Sequence, residues 1–365
     1  MGKQERHDDD NFAELGGYLR RLIAPGLLRD VHVLELAGND PPWQSTGVKL
    51  AVGQGYTLFA AGRIQWSARY TQLYGGPRFH LWARIHPGGR TVNLSADSGT
   101  FVADSDGVLE LGIYMGMWSD DFGALVSGAE AYSALSGHLA VAVVTYDKNP
   151  ATALKRISAN PDAPAVIALE HKRLREAYQP PAGWGYLREC GFSTVYTAEQ
   201  APEGRCIHAR AEDDQGILRR RVDFPLERAT LLNWRWRVDE HPSTEAEDRA
   251  MFHDYISLAA EFDNGLDLTW IWSSCLPVGR HFPCPVKVWR QRETHYVIRG
   301  AGDSLGEWKV ESRSVHADVT EAIGPPPRRI TAIWLIALST FQHGVAQASF
   351  CDITLTSGSR RLRVL

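Results

Sequence analysis

No apolar run in this 365-residue chain approaches the roughly 18 residues that a membrane-spanning helix needs. Its start, MGKQERHDDD, lacks the hydrophobic segment of a signal peptide. A soluble, cytoplasmic chain with no membrane partner is therefore expected. Neither sign of charge dominates, because 39 Lys and Arg face 43 Asp and Glu for a net charge of −4. That balance gives no general attraction to nucleic acid, and none is expected as a partner. Cysteine is sparse: Cys190, Cys206, Cys275, Cys284 and Cys351 all fall in the second half. An odd count without a secretory leader predicts reduced thiols rather than a disulfide framework. Nucleotide loops and the serine-hydrolase elbow are missing too. GQGYTL has two glycines of a dinucleotide fingerprint, but Leu58 stands next and no helix follows, and neither a Gly-Lys-Ser/Thr nor a Gly-x-Ser-x-Gly run occurs.

What the chain does have is apolar and aromatic weight. Hydrophobic residues make up 44% and charged residues 22%, enough for real cores, and the length suggests two domains. Trp, Tyr and Phe number 12 each, and 33 Gly with 19 Pro suit many short strands joined by turns. After a frayed start, Phe12, Leu15, Leu19, Leu22 and Ile23 keep helical spacing until Pro25-Gly26. Strand-like segments follow at 31–36, 47–52, 56–62, 79–85, 108–115 and 139–146, with no long helix between them. Residues 148–183, rich in Ala, Pro and charge, predict a linker carrying one helix. The second half returns to strands: WRWRV, FHDYISLAAEF, LTWIWSS, KVWRQ, THYVIRG, ITAIWLIAL and FCDITL. ITAIWLIAL is apolar on both faces and predicts a central strand. The expected fold is all-β: two tandem antiparallel β-sandwiches with a helix-bearing linker, divided as 1–30 (tail and short helix), 31–147, 148–183 and 184–365.

Two resemblances sharpen this picture. Trp43 with Thr46-Gly47, GQGYTLFAAGRIQW (53–66), HLWARI (80–85), GVLELGIY (107–114) and YSALSGHLAVAV (132–143) resemble the PA-IL-type galactose-binding-like lectins, across roughly 31–146. The resemblance implies a jelly-roll sandwich with a calcium-bridged sugar site. Ala134 and Leu135 stand where that family places its calcium-ligating asparagines, and an apolar pair cannot ligate a hard cation. The second half, roughly 184–356, resembles the bacterial domain-of-unknown-function family 3047. GILRRRVDFPL (216–226), LLNWRWRVDEHP (231–242), HDYISLAAEF (253–262), WIWSSCLPVG (270–279), WKVESRSVHADVTEAIG (308–324) and ITAIWLIALSTFQHG (330–344) carry it. This resemblance implies a galactose-binding-like sandwich with no established activity. Ser339, Thr340 and Phe341 replace that family's usual Asp-x-Asp, so a site built on those acids loses its basis.

Three functions are compatible with these residues. The first is calcium-independent glycan binding through sandwich-end loops or an interdomain cleft, with a glycan or other small molecule as partner. Its candidate residues are Trp43, Tyr114, Trp118, Asp120 and Asp121, because aromatic faces stack on sugar rings and carboxylates accept from hydroxyls. The second is a cofactor-independent hydrolase, hydratase or lyase. It would use His253, Asp254, Arg313, His316 and Asp318, provided neighbouring strands bring a His–Asp pair and an Arg together. The third is a structural component, for which a homo-oligomer stays open. The loop CLPVGRHFPC could gather Cys275, His281 and Cys284, with His253 or His295 as a fourth ligand. Two free cysteines flanking a hairpin loop explain it more simply, so no metal or other cofactor is assigned.

Overall fold

Period-two alternation of apolar and polar residues becomes strands throughout the computed structural model, which describes residues 3–115, 117–126, 128–202, 204–249, 253 and 255–365, the side chains of 3–11 and 201 excepted. The chain divides into two units, Met1–Gln179 and Pro180–Leu365.

The first unit contains α1 (Lys3–Arg21), β1 (Asp30–Ala37), β2 (Gln44–Leu50), β3 (Gly55–Gln65), β4 (Tyr74–Gly75), α2 (Pro77–His80), β5 (Leu81–His86), β6 (Val92–Asn93), β7 (Ser98–Val102), β8 (Gly107–Ile113), β9 (Ser136–Thr145), α3 (Pro150–Ser158) and α4 (Ala165–Arg175). A five-stranded sheet ordered β1-β9-β3-β4, with β7 also on β3, packs against a four-stranded sheet ordered β2-β8-β5-β6. Leu58, Ile64, Leu109, Leu111 and Val141 fill the space between them. LAVAVVTY is apolar on both faces because β9 is covered twice. Ala140, Ala142 and Val144 face a second core built with Phe12, Leu15 and Leu19 of α1, Leu154 and Ile157 of α3, and Ile167 of α4.

Two features here depart from the sequence reading. The first helix starts at Lys3, inside the segment expected to fray. Lys, Gln, Glu and Arg have good helix propensity, but a polar run carries no periodic signal to announce it. The 148–183 segment holds two helices rather than one, and both contribute to the second core of the first unit. Asn149 caps α3 by accepting from the Ala151 amide at 2.8 Å, with Pro150 at the first helical position.

The second unit contains β10 (Gly185–Tyr186), β11 (Tyr196–Ala201), β12 (Gly204–Glu212), β13 (Gln215–Pro225), β14 (Leu231–Glu240), β15 (Ile256–Phe262), β16 (Asp267–Trp272), β17 (His281–Pro283), β18 (Glu293–Arg299), β19 (Lys309–Ser314), α5 (Val315–Ala322), β20 (Arg329–Leu338), β21 (Val345–Ser357) and β22 (Arg360–Arg363). One sheet runs β10-β13-β20-β15-β16-β18-β17 and the other β11-β12-β21-β14-β19, with β22 on β21. ITAIWLIAL is β20, the expected central strand. The pairings are antiparallel except β16 with β18, which is parallel.

Trp234 and Trp236 of β14 meet Trp270 and Trp272 of β16 between the sheets, with ring centroids 5.5–5.9 Å apart. Burying rings of this size contributes roughly 4–6 kcal/mol each before ordering costs. Arg235 and Arg237 alternate outward and lie over the Trp308 ring.

Three further expectations are corrected. KVWRQ is a turn, not a strand: it lies in the reversal between β17 and β18, where the amides of Trp289 and Arg290 both donate to the Val286 carbonyl. The SVHAD segment enters helix α5, whose N-cap Ser314 accepts from the Ala317 amide. Cys206 and Cys351 form a disulfide, where reduced thiols were expected. The two are directly paired across β12 and β21, a juxtaposition that a separation of 145 residues hides from the sequence. Cys190, Cys275 and Cys284 are not disulfide-bonded. Among the described residues, no helix is long and apolar enough to cross a membrane.

Candidate functional site

In the first unit, all five residues expected to bind a ligand come to one end of the sandwich. Trp43 packs on Trp118 at 5.0 Å, and Trp118 meets Tyr114 at 5.6 Å and Trp82 at 5.7 Å. Tyr114 and Trp118 are each only 1% exposed, so they form the floor and not the surface. Asp120 is committed to its own loop, where its Oδ1 accepts from the amides of Phe122 and Ala124 at 2.9 and 3.0 Å. Asp121 anchors the same loop by accepting from the Thr91 amide at its backbone carbonyl, and its carboxylate faces Arg90 at 3.9 Å.

Trp43 is the unusual member. Its φ of 78° lies in the left-handed region, which a bulky residue occupies only under constraint. Its indole N–H donates to the Gly123 carbonyl at 2.7 Å, and the Arg84 guanidinium lies 4.3 Å from its ring centroid. A Cβ at Gly123 would come within 2.2 Å of the Trp43 ring, so only glycine fits there.

Arg84, Glu110 and Phe122 were missed by sequence reasoning. Arg84 and Glu110 face each other across β5 and β8, and Arg84 Nε donates to Glu110 at 2.8 Å. The signal was present, since each is the lone charge in an apolar strand, HLWARI and VLELGI. Phe122 stands exposed at the loop tip, while its carbonyl accepts from Arg84.

Beneath this end lies His80, fully buried. Its Nδ1–H donates to the Tyr114 carbonyl at 2.8 Å, and its Nε2 accepts from the Trp66 indole at 2.7 Å. A carbonyl can only accept and an indole N–H can only donate, so the network fixes the neutral tautomer. Burial pushes the imidazole down to about 3, against a smaller upward pull from the Tyr114 carbonyl.

In the second unit, the structure brings Arg313 and Asp318 together out of the residues expected to act as a catalytic group. Arg313 and Asp318 form a bidentate pair, with bonds of 2.8 and 2.6 Å. Asp318 also accepts from the Trp270 indole at 2.8 Å, and Arg313 lies over the Tyr296 ring. The Arg313 guanidinium is held above its ordinary value: burial alone would lower it, and the bonds to Asp318 outweigh that. His316 is half-buried on α5, and its carbonyl accepts from Thr320. His253 lies on the other side of β18, with its ring 6.2 Å from that of His295. Tyr296 points into the core while its neighbour His295 points outward, so the strand itself separates His253 from Arg313 and Asp318. Asp254 lies outside the described residues.

The outward face of the seven-stranded sheet carries a buried polar layer. Asp267 and Glu293 are paired across β16 and β18, as are Thr269 and His295. Thr269 donates to Glu293 at 3.3 Å, and Glu293 lies 3.6 Å from His295 Nε2. Glu247 joins the layer, accepting from the Ser273 hydroxyl at 2.5 Å and the Ser274 amide at 2.8 Å. Burial raises the Glu247 carboxyl above its ordinary range, and burial also pushes the His295 imidazole down. Cys284, Glu293 and His295 place one ligand atom each within 4.8 Å of one another. The grouping imagined in CLPVGRHFPC does not form. Cys275 and His281 are exposed, and His281 turns toward Tyr296, away from Cys284.

Comparison with known proteins finds a family match confined to the second unit. Residues 183–354 match the model of a family described as a protein of unknown function (DUF3047). The match spans nearly the whole second unit and, like the fold itself, names no reaction. No curated protein matches the chain. Among solved structures, the chain is similar to the EclA N-terminal domain, a PllA-like lectin, at 17% identity over 31% of this chain and 94% of that one, with a TM-score of 0.24. It is also similar to the xyloglucanase domain of NopAA, a type three effector from Sinorhizobium fredii in complex with cellobiose. That similarity has 7% identity over 49% of this chain and 96% of that one, with a TM-score of 0.30. Similarities this distant carry no functional weight here.

Proposed function

We propose that the chain binds a glycan through the loop end of its first unit, without calcium. The observation that carries this reading is Trp43, a bulky residue held at positive φ and half-buried at the rim of a rigid aromatic floor. Strained backbone of this kind costs about 1–3 kcal/mol and concentrates where a ligand is gripped. Around it lie the elements that sugar recognition uses. The exposed Phe122 ring offers an apolar face. Arg84 and Glu110, locked to each other, offer a donor and an acceptor in fixed positions for hydroxyls, with Asp121 beyond. The calcium-free part of the proposal rests on Leu135, which is buried, and Ala134, which has no oxygen to offer from its side chain.

The test is calorimetric titration of the full chain with mono- and oligosaccharides, with and without chelator. Phe122→Ala and Arg84→Ala are each expected to weaken binding about tenfold or more, the equivalent of about 1.4 kcal/mol. Chelator should change nothing. Absence of heat for every sugar at millimolar concentration, or unchanged affinity in both variants, would refute the proposal.

A further inference from the structure

The geometry points to a zinc-class divalent ion held by Cys284, Glu293 and His295 in the second unit, with His253 placed to complete the set. The argument begins with register. Phe282 is paired opposite His295, and the Cys284 amide donates to the Glu293 carbonyl at 2.9 Å, which puts Cys284 opposite Glu293. Directly opposed residues of an antiparallel pair share a face, as do residues two apart on a strand. Backbone pairing alone therefore gathers a thiol, a carboxylate and an imidazole on one side of the β17–β18 hairpin.

Burial sharpens the point. Cys284, Glu293 and His295 are 0%, 4% and 0% exposed. A thiol, a carboxylate and an imidazole are thus enclosed together, away from bulk water. The layer around them is acidic, with Asp267 and Glu247 also buried. Arg292 reaches Asp267 at 3.4 Å but divides its charge with Glu189 and Glu261. A divalent cation bound to a Cys284 thiolate and the Glu293 carboxylate would leave that centre neutral, with His295 contributing a lone pair and no charge.

Distances and ligand chemistry select the class of ion. Zinc bonds of about 2.0–2.3 Å at tetrahedral angles set ligand atoms roughly 3.3–3.7 Å apart. Glu293 and His295 stand at 3.6 Å already, and the whole trio within 4.8 Å needs only small side-chain rotations. Calcium and magnesium require six or more oxygens, whereas a mixed sulfur, nitrogen and oxygen set is that of zinc. Phe282, stacked on the His295 ring at 5.1 Å, fixes the imidazole plane. The ring of the half-buried His253 lies 6.2 Å from that of His295.

The test uses the full chain, stripped with chelator and reloaded with zinc or cobalt. One equivalent is expected to survive gel filtration, and the cobalt form should show a thiolate-to-metal charge-transfer band. Cys284→Ser should abolish that band, while Cys275→Ser should keep it at full intensity. X-ray absorption of the zinc-loaded wild type needs no variant and should show one sulfur among nitrogen and oxygen neighbours, which decides the matter if Cys284→Ser fails to fold. No retained metal, a coordination shell without sulfur, or a band that persists in folded Cys284→Ser would overturn the assignment.

Discussion

Removing the Asp318 carboxylate should expose how much the second unit depends on one buried ionic strut. Asp318→Ala deletes the acceptor of two Arg313 bonds and of the Trp270 indole N–H. Taking one partner from a buried pair costs about 3–5 kcal/mol. Arg313 keeps 29% of its side chain exposed and can rehydrate in part, which places the ionic loss near the bottom of that range. The Trp270 N–H cannot reach water, because the residue is fully buried beneath α5, and an orphaned donor adds roughly 1 kcal/mol or more. A total of about 4 kcal/mol in a unit of this size corresponds to roughly 8–16 °C in melting temperature. Differential scanning calorimetry of the full chain resolves this, since the variant should move the transition of the second unit and leave that of the first in place. Asp318→Asn, which retains an acceptor but no charge, should lose about half as much. A double-mutant cycle with Arg313→Met supplies the check: additivity within about 0.5 kcal/mol would mean the two side chains are not coupled. A melting temperature for Asp318→Ala within 2 °C of wild type would refute the reasoning outright.

Three other consequences are measurable. Under non-reducing denaturation the chain should present three titratable thiols, from Cys190, Cys275 and Cys284, and five after reduction; five at the outset would refute the Cys206–Cys351 bond. Replacing both bonded cysteines by Ala should lower stability by about 2–4 kcal/mol in a chemical unfolding series, towards about 5 in the chain-entropy limit for so long a separation. His80 should resist protonation. Because its imidazole is depressed from 6.5 to about 3 in the folded state, the unfolded chain binds the extra proton first. The stabilisation is complete above pH 6.5 and falls by about 1.4 kcal/mol per pH unit as pH drops toward 3. Histidine NMR shifts that titrate near 6.5 at this position would contradict the buried, neutral assignment.

The strands were legible because burial on one face writes itself as alternation: Trp234, Trp236 and Val238 inward, Arg235 and Arg237 outward. β20 was legible for the complementary reason, as its apolar residues serve both faces. Polar helices were not, since α1 begins in residues that lack any hydrophobic period. The aromatic floor of the first unit could be named from its residues, but the burial of Tyr114 and Trp118 depends on packing from β5 and from Trp43, far away in sequence. The proposed metal ligands were harder still. Glu293 and His295 show only as two polar residues on alternate positions, and the relevance of Cys284 depends on the hairpin register that sets it opposite Glu293. His253 and Asp318 both carry suggestive chemistry, yet a strand has two sides, and sequence alone does not say which side a loop residue will meet.

The helices over β9 bear on how this protein can be cut. A fragment limited to residues 31–147 would carry the strands of the first sandwich and still strip α1, α3 and α4 from Phe59, Ala142 and Val144. Contiguous bare apolar surface on a sheet invites association between copies. Such a fragment should precipitate or self-associate. One spanning 3–175 would keep its own lid, with Glu170 of α4 still receiving the hydroxyls of Ser98 and Thr100 on β7. The smallest autonomous piece is therefore set by these flanking helices and not by the last strand.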